Sequence, residues 1–444
     1  MKKILSSSFL FLSLLCLRFS AAGQTQQVIT YYDSLQTSIK EVYFIKTNPD
    51  TLIHGYFRKY YPTGELEVLV KVVDGKRDSL YTEFFPEGKA KLTVPYKDGK
   101  KNGPFVAIYP SGKLLQQGFY ENDLRSGPYK TFYENGQLKQ ETNFVEGFPE
   151  GVIKEYFPDG RLKSEITYKR KTQSGPTRTF HPNGVVETEA TYRNGMLEGN
   201  IKTYYDNGQL ETETISEGPK KLAKVKTYYR SGKIMNESGI KEGKPEGPSM
   251  SFYENGQRRS THIYSKGVKI GTAQFWDEQG RLREEIKYSN TERDRKIVRY
   301  HANGVIAAQE EWKDNKRYGT WMEYHDNKQV KTVAPYDKKG KLSGEYLTYY
   351  PNGQIASQAT YQNGKIISAE VTYYASGKVK SETLYRDGQK FGTFKQMYEN
   401  GKTELAGTYH YNRPTGTWKY FDESGKELRT VEYLNGKVVA DTKK

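Results

Sequence analysis

The chain has 444 residues and a formal net charge of +16, from 69 Lys and Arg against 53 Asp and Glu. Only 35% of its residues are hydrophobic although 14% are aromatic, which excludes both the thick aliphatic cores of an ordinary multidomain protein and an intrinsically disordered chain. Thirty-eight Tyr and 42 Gly point instead to a thin β architecture with many turns, and the cationic surplus suits anionic partners without naming one.

Residues 1–23 begin with Lys2 and Lys3, continue through an apolar stretch from Ile4 to Leu17, and end in Ser20-Ala21-Ala22-Gly23. This is the pattern of a secretory signal peptide. Its apolar run, closed by Arg18, is too short to serve as a membrane anchor. Cleavage after Ala22 or Gly23 would lower the net charge from +16 to +13 and remove Cys16, the sole cysteine. The mature chain would then have no disulfide, thiol nucleophile or cysteine-ligated metal. Leu15 precedes Cys16 where a lipoprotein signal carries a small residue, so no lipid anchor is expected. The expected location is the periplasm, the outer envelope or the medium, with no membrane span after cleavage.

Residues 24–55 read as a degenerate capping repeat that starts at Tyr31-Tyr32-Asp33-Ser34-Leu35. From 56 to 440 the chain is a tandem repeat. A turn glycine recurs every 24 residues at Gly64, Gly88, Gly112, Gly136, Gly160, Gly184, Gly208, Gly232, Gly256, Gly280 and Gly304. Lys328 holds the next slot, one residue is inserted, and Gly353, Gly377, Gly401 and Gly425 resume the spacing. Eight residues after these anchors stands an aromatic: Tyr96, Tyr120, Phe144, Tyr168, Tyr192, Tyr264, Tyr288, Trp312, Tyr336, Tyr361, Tyr385, Tyr409 and Tyr433. Further glycines recur at +11, as in Gly75, Gly99 and Gly147, and at +15, as in Gly103, Gly127 and Gly151. Residues 441–444 read as a charged C-terminal tail closing an edge strand.

Turn chemistry converts the spacing into structure. Tyr350-Pro351-Asn352-Gly353 has proline second and glycine fourth. That order fits a type I turn closing into a left-handed glycine bulge and excludes a pure type I′ turn. The six- to eight-residue segments between turns read as strands. The chain is therefore expected to be all-β, an elongated single-layer antiparallel ribbon or solenoid of 16–17 hairpins and 32–34 strands. A lone hairpin is at best marginal, so successive units must stack and the aromatic row is expected to form the core.

The phrases Tyr-Glu-Asn-Gly-Gln-Leu (133–138), Tyr-Asp-Asn-Gly-Gln-Leu (205–210) and Tyr-Pro-Asn-Gly-Gln-Ile (350–355) carry a resemblance to MORN-type repeats. The variant they resemble most is that of bacterial YwqK-family antitoxins, over roughly residues 31–440. The resemblance implies a β-hairpin repeat architecture, an antitoxin or immunity role against a toxin, and no family catalytic residues.

No catalytic, cofactor-binding or metal-ligating set emerges from the residues themselves. Of six histidines, His181, His301 and His325 occupy the aromatic slot three before the anchor, so they read as aromatic replacements. A column of Glu at +5 (Glu141, Glu165, Glu189, Glu213, Glu237, Glu285 and Glu382) reads as cross-strand ion pairs. The irregular basic stretches supply the candidate partner contacts: Lys220 and Lys221, Arg293 and Arg295, Lys338 and Lys339. The expected function is a protein-binding or scaffold surface of a bacterial envelope, without catalysis or cofactor. Neutralising a toxin and binding an anionic envelope surface, lipid or cell-wall polymer, are the alternatives. Export argues against nucleic acid as the partner.

Overall fold

The computed structural model describes residues 25–47, 50–216, 221–289 and 291–444. The segment 1–23, read above as a signal peptide, lies outside them. The described residues contain 41 strands and no helix, and the chain divides into two compact units, one ending at Glu198 and the other spanning Gly199–Lys444. In the first unit Thr25–Tyr31 pairs with Ile39–Lys46, and the order of pairing then follows the sequence. In the second unit it continues to Glu427–Leu434 paired with Lys437–Lys443. Every pair is antiparallel, so each repeat is a hairpin and sequence neighbours are sheet neighbours. Asp441, Thr442 and Lys443 are strand residues rather than a tail: Asp441 takes a two-pronged bond from Arg429 at 2.8 and 2.6 Å.

The strand count exceeds the expected 32–34 because the second strand of several units is broken. Lys76–Arg77 and Ser79–Phe84, or Leu124–Arg125 and Gly127–Phe132, form one arm of a hairpin interrupted at a bulge. The +15 glycine lies at that bulge with positive φ, 68° at Gly127, a conformation costly for a side chain with Cβ. The aromatic at +8 of the following unit pairs directly with it, as in Gly127 with Phe144 and Gly344 with Tyr361. Ring and glycine recur together for that reason.

Two turn types alternate. At the anchors, Tyr133 N–H donates to Gln137 O and Gly136 N–H to Tyr133 O, both at 2.8 Å, with Gly136 at φ 91°. This is the type I turn with glycine bulge that the proline predicts. At +10 and +11 the loops have two residues, both left-handed, such as Glu146 (φ 50°) and Gly147 (φ 80°), the type I′ geometry whose twist matches the strands.

Units are bonded to one another at both edges. At the anchor edge, the aromatic at −3 donates its hydroxyl to the carbonyl four residues before the next anchor. Tyr109 reaches Phe132 O at 2.9 Å, Tyr133 reaches Tyr156 O at 2.8 Å, and Tyr350 reaches Tyr373 O at 2.8 Å. The Asn at −1 donates across the same gap, Asn352 Nδ2 to Ala375 O at 2.8 Å, while its Oδ1 accepts from Gln354 N–H. At the tight-turn edge, the +11 N–H donates to the +13 carbonyl of the preceding unit, as Gly147 does to Arg125 O at 3.0 Å.

Burial is deepest at +6 rather than in the +8 row. Val70, Val94, Thr142, Ala190, Ile286, Ala334, Ala359, Thr383 and Val431 are all buried. Of the +8 aromatics only Phe144 is buried, and the others are half-buried. Position +6 lies between two +17 side chains, and their volumes compensate. Gly118 stands between Phe105 and Tyr129, and Gly407 against Trp418, whereas Ile286 packs with Ala273 and Ile297.

Candidate partner-binding surfaces

Six of the thirteen +8 rings have a cation over them. Arg125 stands 5.3 Å from the Phe144 centroid, Lys101 5.0 Å from Tyr120, Lys390 5.2 Å from Tyr409 and Arg317 5.3 Å from Tyr336. Arg317 Nη1 also donates to Tyr336 Oη at 2.8 Å. Each such contact contributes about 0.5–1 kcal/mol at an exposed site, and together they assign part of the cationic surplus to covering the aromatic row. Burial raises the phenol pKa of Tyr264, Tyr361 and Tyr409. Burial, then a hydrogen bond to Glu141, pushes Tyr156 up to about 12.

The Glu column lies on the other sheet face, opposite Lys or Arg. Lys130–Glu141, Lys154–Glu165, Arg178–Glu189, Lys202–Glu213 and Lys226–Glu237 form pairs of 2.9–3.8 Å. Glu285 accepts from Gln274 Nε2 at 3.0 Å. Exposed pairs of this kind contribute at most about 1 kcal/mol each, and they leave that face ionic and wet.

On this face of the first unit, apolar side chains interrupt the charges. Phe119, Leu124, Val145, Phe148 and Val152 are between 40% and 51% exposed. They come from successive repeats: Val145 pairs with Phe148, Leu124 lies against Gly147, and Lys171 stands 3.9 Å over the Phe148 ring. The sequence reading did not single them out, because each one alone looks like an ordinary strand residue.

The candidate basic contacts differ in placement. Lys220 lies outside the described residues, and Lys221 is exposed. Arg295 is held on three sides, by Asn315 Oδ1 at 2.7 Å, by Glu292 O at 3.0 Å and by the Trp312 ring at 4.9 Å. Arg293 accepts Asn315 N–H through its carbonyl at 3.0 Å and joins Tyr288, Glu292, Arg295 and Asn315 around a shallow depression of about 380 Å³. Lys338 and Lys339 stand exposed in a turn that the insertion converts from the two-residue form. There Asp337 Oδ1 accepts Lys339 N–H at 2.8 Å and Lys341 N–H at 2.9 Å, bonds that lower its pKa. In the strand that begins at Arg295, Arg299 bridges Glu284 at 2.8 Å and the buried Glu310, which also accepts from Trp312 Nε1 at 3.1 Å. This cluster belongs to the sheet's own packing.

The histidines behave as aromatic replacements where the geometry is seen. His301 Nε2 lies 2.9 Å from Tyr324 O and His325 Nε2 2.9 Å from Tyr349 O, in the place of the Tyr hydroxyl. Among the described residues no group of three His, Cys, Asp or Glu is arranged to hold a metal, and no helix is long and apolar enough to cross a membrane.

Seven segments match the family model of the MORN repeat variant: residues 101–122, 125–146, 149–170, 173–194, 197–215, 342–363 and 369–387. These segments, about a third of the chain, are similar to MORN-variant repeats. No curated protein matches it in sequence. Among solved structures it is similar to the crystal structure of TcdB2-TccC3, at 14% identity and a TM-score of 0.15, over 93% of this chain and 26% of that one. A likeness at 11% identity and the same TM-score covers 90% of this chain and 24% of a chain in the Photorhabdus luminescens Tc holotoxin pore with mutation TccC3-D651A. The chain thus spans about a quarter of the chains it matches.

Proposed function

We propose that the protein is an exported, non-catalytic repeat scaffold of a bacterial envelope that holds another protein on its sheet surface. The observation that carries this reading is the apolar cluster of Phe119, Leu124, Val145, Phe148 and Val152 on the face that carries the Lys/Arg–Glu pairs. At the positions of Leu124, Val145 and Phe148 the neighbouring repeats carry Lys100, Glu121, Lys169 and Thr172, so the fold itself does not require apolar groups there. Contiguous exposed apolar surface rimmed by charge marks protein contacts. The leader-like residues 1–23 support export.

A photo-crosslinking residue at Phe148 or Val152 tests the contact, with Glu134 on the anchor edge as control. The expected result is one protein adduct from the envelope fraction at the two apolar positions and none at Glu134. Equal adducts at all three positions, or none, would refute the contact. If the adduct is a toxin, the antitoxin-like alternative replaces the scaffold. Export is tested separately by a reporter fused after residue 24, whose retention in the cytoplasm would refute that part alone.

A further inference from the structure

The positive charge of the second unit is concentrated on one edge of its sheet. From residue 301 onward, the five-residue windows 313–317 and 337–341 at the tight turns carry two net positive charges each, and 362–366, 386–390, 410–414 and 434–438 carry one each, eight in all. The matching windows at the anchor turns, 301–305, 325–329, 350–354, 374–378, 398–402 and 422–426, sum to zero. The two turn types alternate along an antiparallel sheet, so the eight charges share one edge and the neutral windows the other.

The packing aligns part of this charge into a column. At +12 stand Lys316, Lys365, Gln389, Arg413 and Lys437, with Lys341 in the same place one residue later because of the insertion, all exposed. The stems of Lys316, Lys341, Lys365 and Arg413 lie over the left-handed glycine of the following tight turn. A Cβ on Gly340 would come 3.1 Å from Lys316 Cβ, one on Gly388 3.2 Å from Lys365 Cβ, and one on Gly436 3.5 Å from Arg413 Cβ. The glycine leaves room for the stem, and the stem carries the charge outward along the edge. Successive units are two strands apart, so the positions recur at about 10 Å, with a gap of about 20 Å between Lys365 and Arg413 where Gln389 interrupts the cations. Asp337, the acid nearest Lys341, is occupied by two backbone N–H groups.

We propose that this edge binds a linear polymer bearing phosphate groups, independently of the protein contact on the first unit. Five single cations at least about 10 Å apart cannot converge on one small anion, so the ligand must repeat its charge. Four of the five are lysines, whose compact ammonium acts as a point charge toward phosphate, whereas paired carboxylate recognition favours the arginine fork.

Binding of fluorescent inorganic polyphosphate to the full chain tests this between 50 and 200 mM salt. With a slope of about −0.7 per neutralised charge, five contacts predict a loss on the order of 100-fold over that range. The triple variant Lys316→Ala, Lys341→Ala, Lys365→Ala keeps two contacts and should lose only about 7-fold, with weaker binding at 50 mM and unchanged β-sheet circular dichroism. Lys378→Ala, on the anchor edge, should bind as the parent does. An unchanged salt slope in the triple variant overturns the edge assignment. Equal or tighter binding of polyglutamate overturns the phosphate assignment. Orthophosphate competing at millimolar concentration, or preferential binding to phosphatidylglycerol vesicles, overturns the linear-polymer assignment.

Discussion

Gly407→Ala places a methyl group where the structure has no room for one. The Cβ would lie 2.1, 2.3 and 2.6 Å from Cδ2, Cε2 and Cγ of Trp418, within the rigid bicyclic ring rather than at the end of a flexible chain. Gly407 does not need a left-handed backbone, so the penalty is steric and not conformational. Trp418 is buried and packs against Phe394 at 5.6 Å, Tyr409 at 5.0 Å and Tyr433 at 6.0 Å between centroids. Swinging it out re-exposes about 100 Å² of ring, or about 2.5 kcal/mol, which lies within the range of about 1–3 kcal/mol for overpacking. In the double variant Gly407→Ala/Trp418→Ala the collision is gone, so the two changes should be non-additive by about 2 kcal/mol. A repeat array opens locally, so hydrogen exchange of amides in residues 394–433 is the appropriate assay. A single-variant cost below about 0.5 kcal/mol, or additivity within that margin, would show that +6 and +17 do not share one volume.

Lys328 holds a left-handed φ of 74° in a slot where other units have glycine, so Lys328→Gly should stabilise the chain by about 1 kcal/mol; a lowered melting temperature would contradict this. Tyr350→Phe deletes the donor to Tyr373 O at 2.8 Å and should cost about 1 kcal/mol, whereas His325→Tyr, which restores the common donor, should change stability by less than about 0.5 kcal/mol. His262 packs against Phe275 and Tyr264, and desolvation, then the charge of Lys269, lowers its pKa. The unfolded chain then takes up the proton first, so stability should fall as pH drops below about 6.5. Denaturant melts of His262→Phe should lack that loss, and an unchanged pH profile would remove His262 as its source.

The repeat, the hairpins and the anchor turns are legible in the sequence because each follows from local chemistry: proline fixes φ at Pro351, glycine admits positive φ at Gly353, and the spacing counts the copies. The core is less legible. The +8 aromatics are the conspicuous side chains, yet they fold over glycines at the surface of the sheet, while burial goes to +6, where the residue varies from Gly118 to Ile286. That variation looks random along one strand and becomes ordered only when each +6 residue is compared with the +17 residues beside it, which requires the register. Arg295 shows the same limit. From sequence it is a loose basic tip, and only the stacking of units brings Asn315 and Trp312 against it.

The two sets of inter-unit bonds explain how the array tolerates its irregular members. The unit anchored at Gly280 has Asp277 in place of the −3 tyrosine, and that carboxylate is turned back on its own turn, accepting Arg281 N–H at 3.0 Å. The same unit has lost the two-residue loop, with Ser289 N–H reaching Asp294 O at 2.9 Å. Its opposite edge is nevertheless bonded in both directions: Lys269 N–H donates to Glu292 Oε1 at 2.7 Å, and Asn315 N–H to Arg293 O at 3.0 Å. Loss of one set of bonds therefore leaves the other in place, and tip residues can change without unpairing the strands. The anchor edge uses its Tyr, His and Asn side chains for these bonds, while the tight-turn edge makes its repeating bonds largely with backbone. Apart from Glu292, the +12 side chains are consequently not needed for these bonds, which leaves that edge open to carry charge.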